Sequence, residues 1–234
     1  MKKIYIIKAG TTFEDIVAKY GDFEDWILKY IDDVATQVID VQNGEELPSF
    51  ETCSGVIITG SHAMVTQEHS WSMKIEEFVK ELIRFETPLL GICYGHQLMA
   101  KSLGAKVDYH PHGMELGTVG ISVLKESKND AIFKHLPTDF DVHVVHAQSA
   151  LTLPLNAVLL ASNKFEKNHA FRVGTNAWGV QFHPEYDANI MKAYINEVAK
   201  DKPINKDEIS LHVKDTPYSN KIIKLFADVA KNTI

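Results

Sequence analysis

One apolar run that ends in two glycines and a cysteine constrains the fold of this chain more than any other stretch. Residues 88–100 read Pro-Leu-Leu-Gly-Ile-Cys-Tyr-Gly-His-Gln-Leu-Met-Ala. Gly91 and Gly95 have no Cβ, so the chain can turn sharply between them and the strand and the following helix can pack closely. Cys93 is therefore expected at the carboxyl end of a buried strand, in a nucleophile elbow. The unpaired N–H groups and the dipole at a helix start favour the thiolate, which is the reactive form of cysteine.

Apolar runs of strand length alternate with stretches of helical periodicity before this elbow. Residues 4–7 and 56–58 have the length and composition of buried strands, and a first helical face is formed by Trp26, Ile27, Tyr30 and Ile31. The clearest helical period joins Ile75, Phe78, Val79, Leu82 and Ile83. Because that helix leads directly into the strand before Cys93, the unit is strand–helix–strand with the expected right-handed crossover.

Shorter strands follow the elbow helix, which is expected to end near Leu103-Gly104 with the glycine as its cap. The strand patterns cover residues 117–124, 142–146, 157–161, 169–173 and 178–182. Two amphipathic helices, at 190–198 and 222–230, are joined by the polar stretch 201–215. This order predicts a single α/β domain over residues 1–234, with an open, mostly parallel sheet, helices on both faces, a core of about 1–200 and a C-terminal helical extension of about 201–234.

Composition narrows the classes of function. A chain of 234 residues with 45% hydrophobic content can bury a large core, and a net charge of −7 argues against a nucleic-acid footprint or an anionic membrane surface. No apolar run approaches the roughly 20 residues that span a bilayer. The first residues lack the features of a signal peptide, so a cytoplasmic protein with small molecules or proteins as partners is expected. Two cysteines form no disulfide framework, and Cys53 is expected to pack as a small half-buried hydrophobe.

The segment Gln181-Phe-His-Pro-Glu185 contains the base that a cysteine nucleophile needs. His183 and Glu185 are two residues apart at the end of the last predicted strand, so in an extended chain their side chains point to one face. A carboxylate beside the imidazole fixes its tautomer and stabilises the imidazolium. Such a pair alone is often coincidence, but together with the elbow it predicts a Cys93–His183–Glu185 triad.

Three segments in this order resemble the class I glutamine amidotransferases, in particular the glutaminase portion of GMP synthetase and its stand-alone relatives. The segments are Ile58-Thr-Gly-Ser61, the elbow at 91–97, and Phe182-His-Pro-Glu-Tyr186, and the similarity spans about residues 50–186. The resemblance implies the amidotransferase fold, with Cys93 as nucleophile, His183 as general base and acid, and Glu185 orienting the histidine.

The same resemblance implies the remaining site residues. The backbone N–H groups of Gly60 and Tyr94 would form the oxyanion hole, and Gln97, Ser61 and His146 would contact the substrate. Family members cleave the γ-amide of glutamine through a γ-glutamyl thioester, and that half-reaction needs no cofactor and no metal. The main hypothesis is a stand-alone hydrolase of a γ-glutamyl amide bond, with glutamine or a γ-glutamyl compound as its small-molecule substrate.

Two alternatives stay open. The first alternative is a glutaminase that supplies ammonia to a synthetase. No Walker-type glycine loop occurs in the sequence, so such a glutaminase would need a separate synthetase subunit as its partner. In related proteins an aspartate or similar polar group follows the histidine at the position of His146, whereas this chain continues Ala-Gln-Ser-Ala. Stand-alone relatives include γ-glutamyl peptidases, which release a peptide amine. A catalytically silent regulatory or binding protein of the same fold is the second alternative, and the intact triad argues against it.

Other chemistries fit less well. An α/β-hydrolase would order its triad as nucleophile, acid and histidine, whereas Glu185 follows His183 here. His110 and His112 lie close together, but no CxxC or HExxH spacing supports a metal site. His96 is expected to pack in the core or to form a lip of the pocket, and Trp71 to lie in the core or line the substrate channel. Glu115 matches a Glu-x-Gly element of GMP-synthetase-like relatives, with no role that follows from sequence.

Overall fold

The computed structural model describes residues 2–232, and its centre is a nine-stranded sheet in the order β2-β1-β3-β4-β11-β10-β9-β6-β7. The strands are β1 (Lys3–Lys8), β2 (Thr36–Asp40), β3 (Cys53–Ile58), β4 (Leu89–Ile92), β5 (Val107–Tyr109), β6 (Glu115–Val123), β7 (Asp139–His146), β8 (Gln148–Ala150), β9 (Val158–Ser162), β10 (Ala170–Val173) and β11 (Ala177–Val180). The helices are α1 (Glu14–Tyr20), α2 (Phe23–Leu28), α3 (Ser70–Arg84), α4 (Tyr94–Ser102), α5 (Ala188–Asp201), α6 (Lys206–Leu211) and α7 (Pro217–Lys231). Strands β5 and β8 form a separate two-stranded sheet.

The large sheet is parallel from β2 to β11 and antiparallel from β11 to β7. Successive residues of β1 point to opposite faces, as the two-residue period of a strand requires. Ile4 and Ile6 join the core that contains α7, whereas Tyr5 and Ile7 join the core that contains α3 and α4. The predicted α/β class, with helices covering both faces, is therefore confirmed, and the sheet is mixed in its second half.

Several elements differ from the sequence-based prediction for identifiable reasons. The predicted helical face includes Tyr30 and Ile31, but helix α2 ends before them, at Leu28. The N–H groups of these two residues donate to carbonyl oxygens three residues earlier, as in a turn. Strand β2 was not predicted, since it is an edge strand with a single buried residue, Ile39. The polar stretch 201–215 contains α6, which buries no residue and so shows no apolar period.

A buried carboxylate fastens the antiparallel half of the sheet to the loop before β7. Asp130 accepts hydrogen bonds from the N–H groups of Ile132 and Phe133 at 2.9 Å each, and from the Trp178 indole at 3.0 Å. Its second oxygen also pairs with Arg172 Nε at 2.8 Å. Asp130 is 2% exposed, so these donors replace the water that the carboxylate loses on folding. Within residues 2–232, no helix has the length and apolar character that a membrane span requires.

Candidate active site

The elbow at Cys93 depends on two close backbone approaches. A Cβ on Gly91 would lie 2.5 Å from the Gly95 carbonyl oxygen, and a Cβ on Gly95 would lie 2.6 Å from the Ile58 carbonyl oxygen. Larger residues are excluded at both positions, as the sequence pattern predicts. Cys93 itself has φ 48° and ψ −95°, a region that non-glycine residues rarely adopt. Its N–H donates to the Val180 carbonyl oxygen at 2.8 Å, which ties the strained residue to strand β11.

Cys93 and His183 are brought together by neighbouring parallel strands. Gly91 pairs with Gly179, so β4 and β11 end at the same edge of the sheet and their next residues line one cavity. His183 Nδ1 lies 2.7 Å from Glu185 Oε1, and both side chains are almost fully buried. The opposite ring nitrogen of His183, Nε2, has no hydrogen-bond partner in residues 2–232. The predicted pairing of histidine and glutamate is thus present in the structure.

The electrostatics of His183 favour its protonated form. Burial disfavours the charged ring, but the negative charge of Glu185, and after it the interaction with Cys93, outweighs this and raises the pKa of His183 from 6.5 to about 10. The ring also lies between two aromatic rings, Tyr186 at a centroid distance of 4.1 Å and Phe23 at 6.3 Å. At neutral pH this arrangement holds an oriented imidazolium beside the Cys93 sulfur.

Two glutamines form a chain of amides that reaches the sulfur. Gln97 Nε2 donates to the Gln148 carbonyl oxygen at 2.8 Å and to Gln181 Oε1 at 3.1 Å. Gln181 Nε2 in turn lies 3.6 Å from the Cys93 sulfur. The sequence pattern included Gln181 without giving it a role. With both amide protons of Gln97 used internally, only its Oε1 is left to contact a substrate in the cavity.

The two predicted oxyanion donors lie on either side of the elbow. Tyr94 is the first residue of α4, where N–H groups have no intrahelical partner, and its side chain is directed elsewhere by a 2.6 Å bond from its hydroxyl to Ser72. In the described part of the chain the Gly60 N–H donates to no protein acceptor. A Cβ on Gly60 would lie 3.0 Å from His183 Cε1, so the Gly60 backbone packs closely against the His183 ring.

His146 is held on both sides by protein atoms. Its Nε2 lies 3.1 Å from Glu115 Oε2, and its Nδ1 lies 3.1 Å from the Gln148 carbonyl oxygen. Glu115 is the register partner of His146 across β6 and β7, and it also approaches His169 Nε2 at 3.4 Å. Glu115 therefore contacts His146 itself and lines a different cavity, so it does not take the place of the acid that is missing after His146. Ser61 lines the cavity, and its hydroxyl accepts from the Ala63 N–H at 3.1 Å.

The remaining side chains singled out from the sequence lie around this site. His96 is fully buried in α4 and packs against Phe171 at a ring distance of 4.8 Å, and burial lowers the pKa of its imidazole to about 3. Trp71 is half-buried and packs on Tyr94 at 5.6 Å. Cys53 is buried, more completely than expected, because α7 and α3 cover both faces of β3. Within residues 2–232, no three His, Cys, Asp or Glu side chains are grouped as metal ligands would be.

Comparison with known proteins points to one family. The family model for class I glutamine amidotransferases matches residues 16–200. Among similar proteins, γ-glutamyl peptidase 4 of Arabidopsis thaliana is 29% identical over 205 residues, which covers 84% of this chain and 81% of the relative. A glutamine-hydrolysing GMP synthase of Bacteroides fragilis is 36% identical over 137 residues, which covers 58% of this chain and 25% of that longer protein.

Solved structures agree on the fold. A glutamine amidotransferase from Thermotoga maritima superposes with a TM-score of 0.73 at 24% identity, covering 100% of this chain and 98% of that one. A glutamine amidotransferase from Methylobacillus flagellatus gives a TM-score of 0.77 at 18% identity, covering 100% and 96%. At these identities the likeness supports the arrangement of strands and helices alone.

Proposed function

This chain belongs to the class I glutamine amidotransferase family, and from that premise we propose that it is a hydrolase that cleaves a γ-glutamyl amide bond. Cys93 is the nucleophile, His183 the general acid and base, and Glu185 the residue that orients the histidine. The similarity to a γ-glutamyl peptidase over 81% of that protein supports an enzyme that acts alone.

One observation carries the proposal. Cys93 and His183 follow two hydrogen-bonded parallel strands and line the same cavity, with Glu185 at 2.7 Å from the far nitrogen of the histidine. A nucleophile, a base and an orienting carboxylate in that relation are the parts that acyl transfer requires. The raised pKa of His183 supports a first half-reaction in which the imidazolium gives its proton to the departing nitrogen.

In the first half-reaction, the Cys93 thiolate attacks the γ-carbonyl carbon and an S–C bond forms. The carbonyl oxygen becomes an oxyanion that accepts hydrogen bonds from the Gly60 and Tyr94 N–H groups, neither of which donates to an acceptor in residues 2–232. His183 gives its proton to the leaving nitrogen, the C–N bond breaks, and the amine departs. A γ-glutamyl thioester and a neutral imidazole remain.

In the second half-reaction, water attacks the thioester carbon while His183 Nε2 accepts a proton from it. The second oxyanion collapses, the C–S bond breaks, and glutamate leaves with the thiolate–imidazolium pair restored. Glu185 accepts the hydrogen bond from His183 Nδ1 in both half-reactions, so the imidazole uses the same nitrogen, Nε2, for each proton transfer.

The decisive experiment measures glutamate release from glutamine, from γ-glutamyl dipeptides and from glutathione, by the parent chain and by Cys93→Ala. Release from peptides that depends on Cys93 supports a γ-glutamyl peptidase, and release from glutamine alone supports an ammonia-producing glutaminase. Undiminished release by the Cys93→Ala variant would exclude the thioester mechanism.

A second candidate is the glutaminase subunit of a two-protein synthetase. The 36% identity to a GMP synthase, confined to 25% of that protein, favours it, because the shared part is the length of one domain. This candidate predicts a low rate for the chain alone and a large rise in glutamine hydrolysis when the synthetase subunit is added. A peptidase would show no such rise.

A further inference from the structure

The cavity at Cys93 has two unlike halves. One half is polar and is lined by Gln97, His146 and Gln148. We call the other half the aromatic half; it is lined by Phe13, Phe23, His62, Tyr186, Tyr194 and Val198, with Lys202 at its edge. The whole cavity has a volume of about 210 Å³, and it opens to solvent.

The aromatic half is a continuous packed surface. The His62 ring lies 4.3 Å from the Phe13 ring and 6.0 Å from the Tyr194 ring, and its Nε2 is 3.3 Å from the Tyr194 hydroxyl. Tyr194 also bonds to Thr12. Desolvation lowers the pKa of His62 below 6.5, so this ring is neutral at pH 7 and adds no charge to the surface. Such a wall favours an apolar group over a polar one.

His183 belongs to the aromatic half. Its ring stacks on Tyr186 and Phe23, and both of these line that half. Because His183 must protonate the departing nitrogen, the leaving amine is on the histidine's side of the thioester carbon. The γ-glutamyl group then occupies the polar half, where amide and imidazole groups line the cavity.

Helix α5 extends from the aromatic half to a lysine, Lys202. Tyr194, Val198 and Lys202 are spaced by four residues, so they follow one side of the helix and of its C-terminal cap. In residues 2–232 the Lys202 ammonium has no carboxylate partner, whereas the nearby Lys200 pairs with Glu197 at 2.7 Å. A lysine at the mouth of an apolar cavity, with no partner of its own, can pair with an anionic end of a bound molecule.

Distances indicate how long that molecule is. Lys202, the C-cap of α5, is eight positions after Tyr194, which is about 12 Å along the axis at roughly 1.5 Å per position. Two extended residues span about 7 Å, and a flexible lysine side chain covers the remainder. A single amino acid as leaving group carries its carboxylate one carbon from the scissile nitrogen, on the histidine's side of the cavity, whereas a second residue carries the carboxylate further toward Lys202.

We propose that the aromatic half is the leaving-group subsite and that it selects γ-glutamyl peptides in which an apolar residue follows the γ-glutamyl bond and a second residue presents its carboxylate to Lys202. This inference rests on the proposed γ-glutamyl hydrolase activity. The apolar side chain packs on Phe13 and Val198, and Lys202 pairs with the terminal carboxylate.

The test compares kcat/KM for γ-glutamyl-phenylalanyl-glycine, its C-terminal amide, and γ-glutamyl-glycyl-glycine. The parent chain should prefer phenylalanine over glycine by roughly tenfold or more, because the aromatic side chain buries apolar surface in the aromatic half. It should prefer the free acid over the amide by about three- to fivefold, as a partly exposed ion pair allows. Lys202→Met should bring the acid-to-amide ratio to about one, and Lys202→Glu should invert it.

Lys206→Met is the matched control, since Lys206 is an exposed lysine of α6 that does not line the cavity. It should keep the parent ratio. γ-Glutamyl-p-nitroanilide, which has no carboxylate beyond the γ-glutamyl group, distinguishes failure of the proposed subsite from failure of the proposed hydrolase activity. If Cys93-dependent cleavage of this anilide is present but the acid-to-amide ratio is the same in the parent and in Lys202→Met, the subsite is wrong and the hydrolase stands. If no γ-glutamyl substrate is cleaved in a Cys93-dependent way, both are wrong.

Discussion

Gln181 Nε2 lies 3.6 Å from the Cys93 sulfur, while Gln181 Oε1 accepts a hydrogen bond from Gln97 at 3.1 Å. The carboxamide is therefore oriented by its neighbour so that an N–H, and not the carbonyl oxygen, faces the sulfur. A fixed donor next to a thiolate stabilises the negative charge that a nucleophilic cysteine carries.

Replacing Gln181 with Leu should lower the rate at which Cys93 reacts with iodoacetamide at pH 7 by roughly tenfold to a hundredfold, since hydrogen bonds to charged groups contribute about 1.5–3 kcal/mol. Mass spectrometry of the alkylated chain over time measures this rate. Gln37→Leu on edge strand β2, where the exposed side chain accepts a hydrogen bond from Lys3, should leave the rate unchanged. Equal rates for parent and Gln181→Leu would show that the amide does not act on the sulfur.

The pH dependence of activity follows from the raised pKa of His183. The first step needs the imidazolium as acid, so kcat/KM should hold through neutral pH and fall as the pH rises through about 10. Glu185→Gln removes the charge that raises this pKa and should move the alkaline limb to lower pH, with kcat reduced by about a hundredfold or more. A stopped assay from pH 6 to 11 checks both. An alkaline limb at the same pH in the Gln variant would contradict the assignment of Glu185.

Acid sensitivity should come in part from His96. Its folded-state pKa is lowered to about 3 by burial, from an ordinary value of 6.5. Below pH 6.5 the unfolded chain binds a proton that the folded chain binds only near pH 3, so the free energy of unfolding decreases as the pH falls through this window, by about 1.4 kcal/mol per pH unit. His143, with a pKa lowered to about 4, acts in the same direction.

The His96→Leu variant should therefore unfold in urea with a pH slope smaller by about one proton between pH 6 and 4. His135→Leu, a change at an exposed histidine, should leave the slope as in the parent. A parent-like slope in His96→Leu would mean that the buried ring is not the group that titrates on unfolding.

Asp130→Ala should destabilise the chain by about 3 kcal/mol or more, because it leaves the buried Trp178 indole N–H and two backbone N–H groups without an acceptor. Thermal unfolding followed by circular dichroism measures the loss. Asp139→Ala, which removes an exposed carboxylate bonded to Ser122, is the control and should cost less than about 1 kcal/mol. Similar losses in both variants would show that the buried network adds nothing beyond a surface contact.

The chemistry of the site was accessible from sequence because its determinants are local. The glycines at 91 and 95 encode the elbow by spacing alone, and His183 and Glu185 meet because they are two residues apart at the end of a strand. Local spacing survives folding nearly unchanged, so the structure places Cys93 and His183 in one cavity with Glu185 beside the histidine, and their catalytic roles stay a prediction.

The surroundings of the site depend on contacts between distant parts of the chain. Glu115 and His146 are 31 positions apart in sequence and meet because strands β6 and β7 pair in antiparallel register. In the sequence, Glu115 was marked by a Glu-x-Gly element without an assigned role. The aromatic half joins Phe13 to Tyr194 at a ring distance of 5.5 Å, from opposite ends of the chain. No periodicity encodes such pairs, because tertiary packing alone decides them.

The register of β4 against β11 has a further consequence for how this fold can change. The backbone ladder between the two strands fixes the spacing of Cys93 and His183, whereas Phe13, His62 and Lys202 belong to segments outside that ladder. Under the proposed function, insertions or exchanges in those peripheral segments should alter which amines are accepted without moving Cys93 and His183. Mutations that change substrate selectivity can therefore occur in different segments from those that hold the reacting residues. Laboratory evolution aimed at new leaving groups should accumulate its mutations in the loop after β1, the loop after β3 and helix α5.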